Sequence, residues 1–439
     1  MYKKINYIAA VLVLLTSMSV TAQVTTQSPY SRYGIGNIKG SVLPQLRAMG
    51  SISTAVFKPN GYSNINMQNP ASYAGINLTT VDIGMSAGIT QLKKGDQSEQ
   101  SFNATISHVA LAFPVSRRSA FSFGLMPYSE LGYDFQSRAT LSSSDPTNSA
   151  TKDATYIYTG EGGLNKAYMG YGFGIGDHFR VGGNVEYLFG NLLQSRSTEL
   201  DDALSINSRM QSKNSVGGVS FSYGTQYQIP LGTRTSITLG YSGSSSSSVN
   251  SKSTFIATQY VRDATTGDET AIGDSLSFSQ NAKTKLQLPL IHNFGIAIQK
   301  DNKWLIGADY RLGKWSDLSI GDENQNLQDT YGFSVGSQIT PDITSIGSYF
   351  NRVDYRLGFA YDKTYISLNN QDIKQMAITF GFGFPLRPSP TGLTFYKINF
   401  TTELGRRGTV ASGLLEENYI NFHLGFTLND KWFRKLRFD

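Results

Sequence analysis

The stretch AYMGYGFGIG, Ala167 to Gly176, places Gly170, Gly172, Gly174 and Gly176 on every second residue. Glycine in such density is the raw material of a phosphate-binding loop, in which backbone N–H groups wrap an anion. The dinucleotide form needs glycine at the first, third and sixth positions. Counting from Gly170, Ile175 stands at the sixth. The interleaved residues Ala167, Met169, Tyr171, Phe173 and Ile175 are all apolar. The segment therefore alternates as a strand does, with one apolar face and one almost bare of side chains.

Other chemical signatures dissolve in the same way. Gly332-Phe333-Ser334-Val335-Gly336 has the G-x-S-x-G spacing of a hydrolase nucleophile, which must sit on a tight strand-to-helix turn. No helical pattern follows, and Ser334 lies within an alternating run. The four histidines, His108, His178, His292 and His423, are scattered and form no metal-binding spacing. Asp322 to Asn326 resembles the start of a calcium loop, but Leu327 occupies the glycine position and Phe333 the acidic one. The expectation is a non-enzyme without cofactor or metal.

The elements that hold these residues are strands. Aromatics make up 12% of the 439 residues, with 25 Tyr, 25 Phe and 44 Gly, a composition that favours strand over helix. Lys3 and Lys4, the apolar run Ile8 to Leu15 and the small-residue site Val20-Thr21-Ala22 read as an export signal over residues 1–22. There is no cysteine, so no disulfide framework supports an exported core. No later window of about 18 apolar residues predicts a membrane helix. The net charge of +6 is dispersed, which argues against nucleic acid.

Alternation recurs along the chain. From Thr80 to Thr90, Val81, Ile83, Met85, Ala87 and Ile89 oppose polar or tiny residues, and Phe179 to Leu193 follows suit. Most such runs reach the roughly 9 to 11 residues that a strand needs to cross a bilayer. A soluble β protein would need a second layer over these faces, and the sequence supplies none. About fourteen runs can be placed, an even number as single-chain outer-membrane barrels require. Short connections at Ser116 to Arg118, Asp177-His178, Pro230 to Gly232 and Asp301-Asn302 alternate with polar ones of roughly 20 to 40 residues, as periplasmic turns alternate with outer loops. Thr340 to Asn351 is a long exception on the periplasmic side.

The expected fold is an all-β transmembrane barrel over 78–430, with a C-terminal periplasmic tail over 431–439. Residues 23–77 do not alternate and would fold inside as a plug, with a short helix at Leu43 to Met49. Inward charges of both signs, among them Asp82, Arg180, Glu186, Asp309, Asp354 and Glu403, would pair with that plug. Met49, Ile52, Val56, Phe57 and Met67 would either line an apolar pocket or form the plug's own core. Trp304, Trp315 and Trp432 read first as interfacial aromatics.

RAMGSISTAV followed by NINMQNPASYAG, then FPVSRRSAFSFGLMPYSELGYDF, and later LQLPLIHNFGIAIQKDNKWLIGADYRLGKWSDL resemble the FadL-type outer-membrane transport family. The resemblance covers nearly the whole mature chain. It implies a fourteen-stranded barrel with an N-terminal hatch, which passes hydrophobic, fatty-acid-like small molecules into the outer membrane through a kink in strand 3. Carried onto this sequence, the kink falls at Pro127, beside Gly124 and Tyr128. Proline supplies no ladder hydrogen bond, so it either opens the wall or marks the rim where pairing has ended. Asn69, Pro70 and Ala71 carry the resemblance just before strand 1 and complete the candidate ligand or gating set with Met49 and Phe57. The family also includes PorV-like proteins, so an accessory subunit of a secretion or assembly complex is the alternative, with other outer-membrane proteins as partners.

Overall fold

The computed structural model describes residues 28–432, except 62, 143–150, 202–204, 264, 322 and 388–393. The expected signal peptide and residues 433–439 of the tail lie outside the described residues. Fourteen antiparallel strands form the wall: β1 Thr79–Lys94, β2 Gln97–Ser116, β3 Ser119–Ser142, β4 Thr151–Ile175, β5 Phe179–Leu200, β6 Asn207–Pro230, β7 Thr235–Ser244 continued by Ser248–Arg262, β8 Ser277–Gln287 continued by Ile291–Lys300, β9 Trp304–Gly313, β10 Thr330–Ile339, β11 Asp354–Leu368, β12 Gln371–Pro385, β13 Phe395–Gly408 and β14 Glu416–Asp430. Each pairs with its sequence neighbour. The ring closes where Thr79–Lys93 of β1 pairs with Glu416–Asp430 of β14. Closure leaves no sheet edge at the ends of the chain, which is what allows strands to stand in lipid.

The two faces of this wall invert the usual order of a protein. Ile83, Met85, Val185, Phe221, Ile296 and Ile378 point outward and are exposed, as is Met169 of β4 at 61%. Polar residues point inward and are buried, including Asp82, Asn184, Gln226, Asp309, Asp354 and Thr401. Strict alternation is therefore the imprint of lipid on one side and packed polar groups on the other.

The strands outrun the alternating segments. The β3–β4 ladder reaches Ser142 opposite Thr151, the β5–β6 ladder reaches Thr198 opposite Ser208, and β8 still pairs with β7 at Ser277 and Ala257. The long polar connections expected after strands 3, 5 and 7 are thus largely ladder. Beyond the bilayer neither face meets lipid, so both become polar and the two-residue period fades while backbone pairing continues. At the other end the first turns are short, at 117–118, 176–178, 231–234 and 301–303, whereas 340–353 is long and holds a single 3-10 turn, Phe350–Arg352.

Residues 28–78 wind against the inner wall. Helix α1, Pro44–Arg47, begins on proline, whose missing N–H costs nothing at a helix start. A 3-10 turn over Pro70–Gly75 is capped by Asn69, whose side chain accepts from the Ala71 N–H. The wall meets this segment through glycine. A Cβ added at Gly172 would sit 2.8 Å from Tyr73 Cβ and collide with the Pro70 carbonyl; at Gly295 it would lie 2.7 Å from Thr54 Cβ, and at Gly336 2.8 Å from Met49 Cβ. Gly182, Gly240 and Gly358 are covered in the same way by Pro70, Thr54 and Gly50. Of the glycines of AYMGYGFGIG, Gly170 and Gly172 thus serve a close approach of the segment, whereas Gly174 and Gly176 do not touch it.

Polar groups then fix the segment's position. Asp309 accepts from the Ser53 N–H at 2.8 Å and from both the Thr54 N–H and its hydroxyl at 2.9 Å. Asp354 accepts from Asn60 at 2.6 Å while pairing within the wall with Arg356 and Lys397. The inward charges mostly neutralise one another and offer the segment hydrogen bonds. Lys39 with Glu130 is an ion pair between segment and wall.

Two outcomes follow. Met169→Arg is expected to lower unfolding stability by about 2 to 4 kcal/mol, whereas Phe173→Arg, two pleat repeats nearer the rim at the short turns, costs about 0 to 1, measured by urea unfolding in bilayers. Gly172→Ala is expected to destabilise by roughly 1 to 3 kcal/mol by overpacking. Gly174→Ala, whose added carbon meets nothing closer than Arg118 Cβ at 3.6 Å, stays within about 0.5 kcal/mol in the same measurement.

Candidate cavity and wall seam

Among the described residues the ladder between β2 and β3 ends part-way up the wall. Strands β2 and β3 pair from Ser116 opposite Ser119 up to Val109 opposite Leu125, and stop. Beyond that level the wall strands part: β2 continues to pair with β1, out to Gln97, and β3 with β4, out to Ser142. The β3–β4 register slips between Pro127 and Ser129, leaving Tyr128 as the extra residue of a bulge. The irregularity continues sideways, because Gly163 opposite Glu130 and Gly190 opposite Leu164 have φ of 150° and 153°. These are angles that only glycine accepts readily.

The freed edge of β3 is taken by the N-terminal segment. Asn37 and Ile38 pair with Glu130 and Ser129 as a short strand. The Lys39 N–H donates to the Tyr128 carbonyl at 3.0 Å and the Ser28 N–H to the Gly132 carbonyl at 3.1 Å. The Gly132 N–H in turn donates to Ser31 Oγ at 3.1 Å. Across the seam, Asn103 of β2 donates to Glu130 at 3.2 Å. Below the opening, His108 meets the fully buried Asp82 at 2.7 Å, and Asp82 also accepts from Thr427 at 2.6 Å.

Two cavities flank residues 37–42. The larger, about 390 Å³, is walled by Tyr128, Leu288, Trp315, Tyr365 and Ile366, with the Asp309 and Arg311 side chains at its margin. The smaller, about 210 Å³, opens on the seam and is lined by Ser101, Asn103, Thr105 and Ser107 of β2 and by Pro127. Lys166 pairs with Glu186 at 3.2 Å beside the larger cavity and donates to Ser41 at 2.7 Å, which ties residues 37–42 to the wall.

The sequence-selected residues divide between these places. Pro127 borders both cavities and Tyr128 the larger one. Gly124 lies just below the seam in the paired part of β3, and a side chain there would press on the Tyr168 ring and the Ala110 backbone. Asn69 donates to the carbonyls of Thr54, Thr225 and Tyr241 at 2.6, 3.2 and 3.3 Å, which pins the segment to β6 and β7. Pro70 and Ala71 lie against Gly182 of β5. Met49 packs with Leu46, Ile52, Val56 and Leu305 in a closed cluster, and the Arg180 guanidinium lies 3.4 Å over the Phe57 ring. Trp315 corrects its expectation: it turns inward at the end of β9, is buried, and stacks on Tyr365 at 4.7 Å. Tyr365 carried no motif, and by alternation it shares the outward phase of Tyr355 and Leu357; it lies inward within the register shift between Lys363 and Ser367, which has no local signature. Ser334 of the G-x-S-x-G spacing sits within β10 and accepts from Arg311 at 3.1 Å.

The BamG family model matches residues 1–439. No curated protein matches the chain. Among solved structures it is similar to the Ralstonia pickettii toluene transporter TbuX, at 14% identity over 90% of this chain and 99% of that one, with a TM-score of 0.55. A Pseudomonas aeruginosa FadL homologue is 13% identical over 91% and 100%, at 0.55. The P. putida toluene transporter TodX is 13% identical over the same shares, at 0.53. These likenesses establish the architecture. With its closed ring of fourteen strands, the chain has the fold of these outer-membrane β-barrels and belongs to the BamG family.

Proposed function

We propose that the barrel passively admits a hydrophobic small molecule from outside and releases it sideways into the bilayer. The molecule enters the larger cavity, rests against a plug formed by the N-terminal segment, and leaves through the seam between β2 and β3. The observation that carries this reading is the end of the β2–β3 ladder at Val109 and Leu125, at bilayer depth and next to the smaller cavity, which residues 37–42 separate from the larger one. Val109 lies opposite Ile83 and Phe102 opposite Ile89, so the unpaired stretch begins within the lipid-facing band and runs to its outer limit. The volume, about 390 Å³, is ample for a small aromatic molecule, since an apolar cavity of about 150 Å³ holds benzene. Two of the proteins it is similar to, TbuX and TodX, are toluene transporters, which makes toluene a rational first probe. Passive passage needs no nucleotide motif.

The unpaired edge of β2 favours a second reading, a subunit of an outer-membrane secretion or assembly complex that conducts nothing. Uptake separates the two. In vesicles carrying the barrel, Ala360→Trp, placed in the larger cavity, is expected to cut labelled toluene uptake to the level of protein-free vesicles. A thiol cross-linker joining Asn103→Cys to Glu130→Cys across the seam does the same. Uptake at the unmodified rate in both, with folded protein verified by heat-dependent gel mobility, rules out this route.

A further inference from the structure

The two lips of the seam differ. The edge of β3 is occupied, since Tyr128, Glu130 and Gly132 bond residues 28–39. The edge of β2 from Gln97 to His108 has β1 on one side. Among the described residues no backbone hydrogen bond covers its other side. Phe102 and Ile106, exposed at 59% and 60%, put the part of this edge from Phe102 to His108 in the outer half of the bilayer, where hydrocarbon satisfies neither N–H nor C=O. From Tyr128 to Gly132 β3 is not free to zip onto it, because those edge groups are already bonded to the N-terminal segment.

The chemistry of the edge describes what fits. Ser101, Asn103, Thr105 and Ser107 face the smaller cavity, while Phe102 and Ile106 face lipid. An added strand would take the same phase, polar inward and apolar outward, which is the pattern of a transmembrane β-strand. We propose that the β2 edge, Gln97 to His108, docks a membrane-embedded amphipathic β-strand of another outer-membrane protein. The site goes beyond the transport reading. A docked strand lies across the exit, so docking and uptake are separate measurements.

The test places the photoreactive residue p-benzoylphenylalanine at Ser101, Asn103 or Thr105 of the full-length protein in its native membrane, with Ile296 and Ile378 on other parts of the wall as controls. Adducts to one outer-membrane protein are expected from all three seam positions and from neither control. By mass spectrometry the partner residue falls in a membrane-spanning strand and moves by two residues when the probe moves by two. Adducts confined to lipid, to a second copy of this chain, to its own residues 23–27 or to partner loops overturn the proposal. Phe102, where the probe is nearly isosteric, replaces any position that loses heat-dependent gel mobility. Loss of toluene uptake with adducts retained discredits transport alone; adducts absent while uptake persists discredits docking alone.

Discussion

Backbone lies against backbone where residues 44–75 meet the barrel, and the interior depends on that contact. Opposite Pro70, Thr54 and Met49 the wall offers Gly172, Gly240 and Gly336, and a single methyl group at any of them would intrude on the segment. A lumen lined by ordinary side chains would hold the segment several ångströms off and leave voids that close packing does not tolerate. Because the glycine faces remove that standoff, the segment reaches the acids and amides of the wall directly. It is then held in a register that delivers residues 37–39 to the edge of β3. The seam and the partition between the two cavities are consequences of where the segment lies.

The polar interior adds direction to this fit. Close approach alone would allow sliding, but Asp309 gathers three donors from Ser53 and Thr54, and Asn69 reaches carbonyls on two strands. Charges buried in this way are tolerable only when paired. Asp354 with Arg356 and Lys397, and Glu417 with Arg407, meet that condition inside the wall. The barrel therefore keeps its electrostatic balance largely to itself and presents hydrogen-bond acceptors to the segment.

How much of this was legible in the sequence follows from which residues face lipid. Alternation at Thr80 to Thr90 or Ala167 to Gly176 reports a face in contact with hydrocarbon, so strand number, closure and turns were readable there. Past the bilayer, at Gln136 to Ser142 or Thr151 to Tyr158, the same ladders carry polar residues on both faces and resemble loop. The seam was half legible. Pro127 announces a missing donor, yet the end of pairing at Val109 and its repair by Asn37 and Ile38 are long-range facts with no local signature. Trp315 misled because a tryptophan at a strand end usually marks the interface, whereas the short turn after β9 folds this one inward over Tyr365.

The segment's contacts also constrain the order of assembly. Ser28, the first described residue, is bonded to Glu417, 389 positions later in the chain, and Pro44 rests on Gly425 of the last strand. What emerges first at synthesis completes its surroundings only when the final hairpin arrives. Contacts of such separation form slowly because the loop they close is long. The join of β1 to β14 that closes the ring thus also completes the enclosure of the segment.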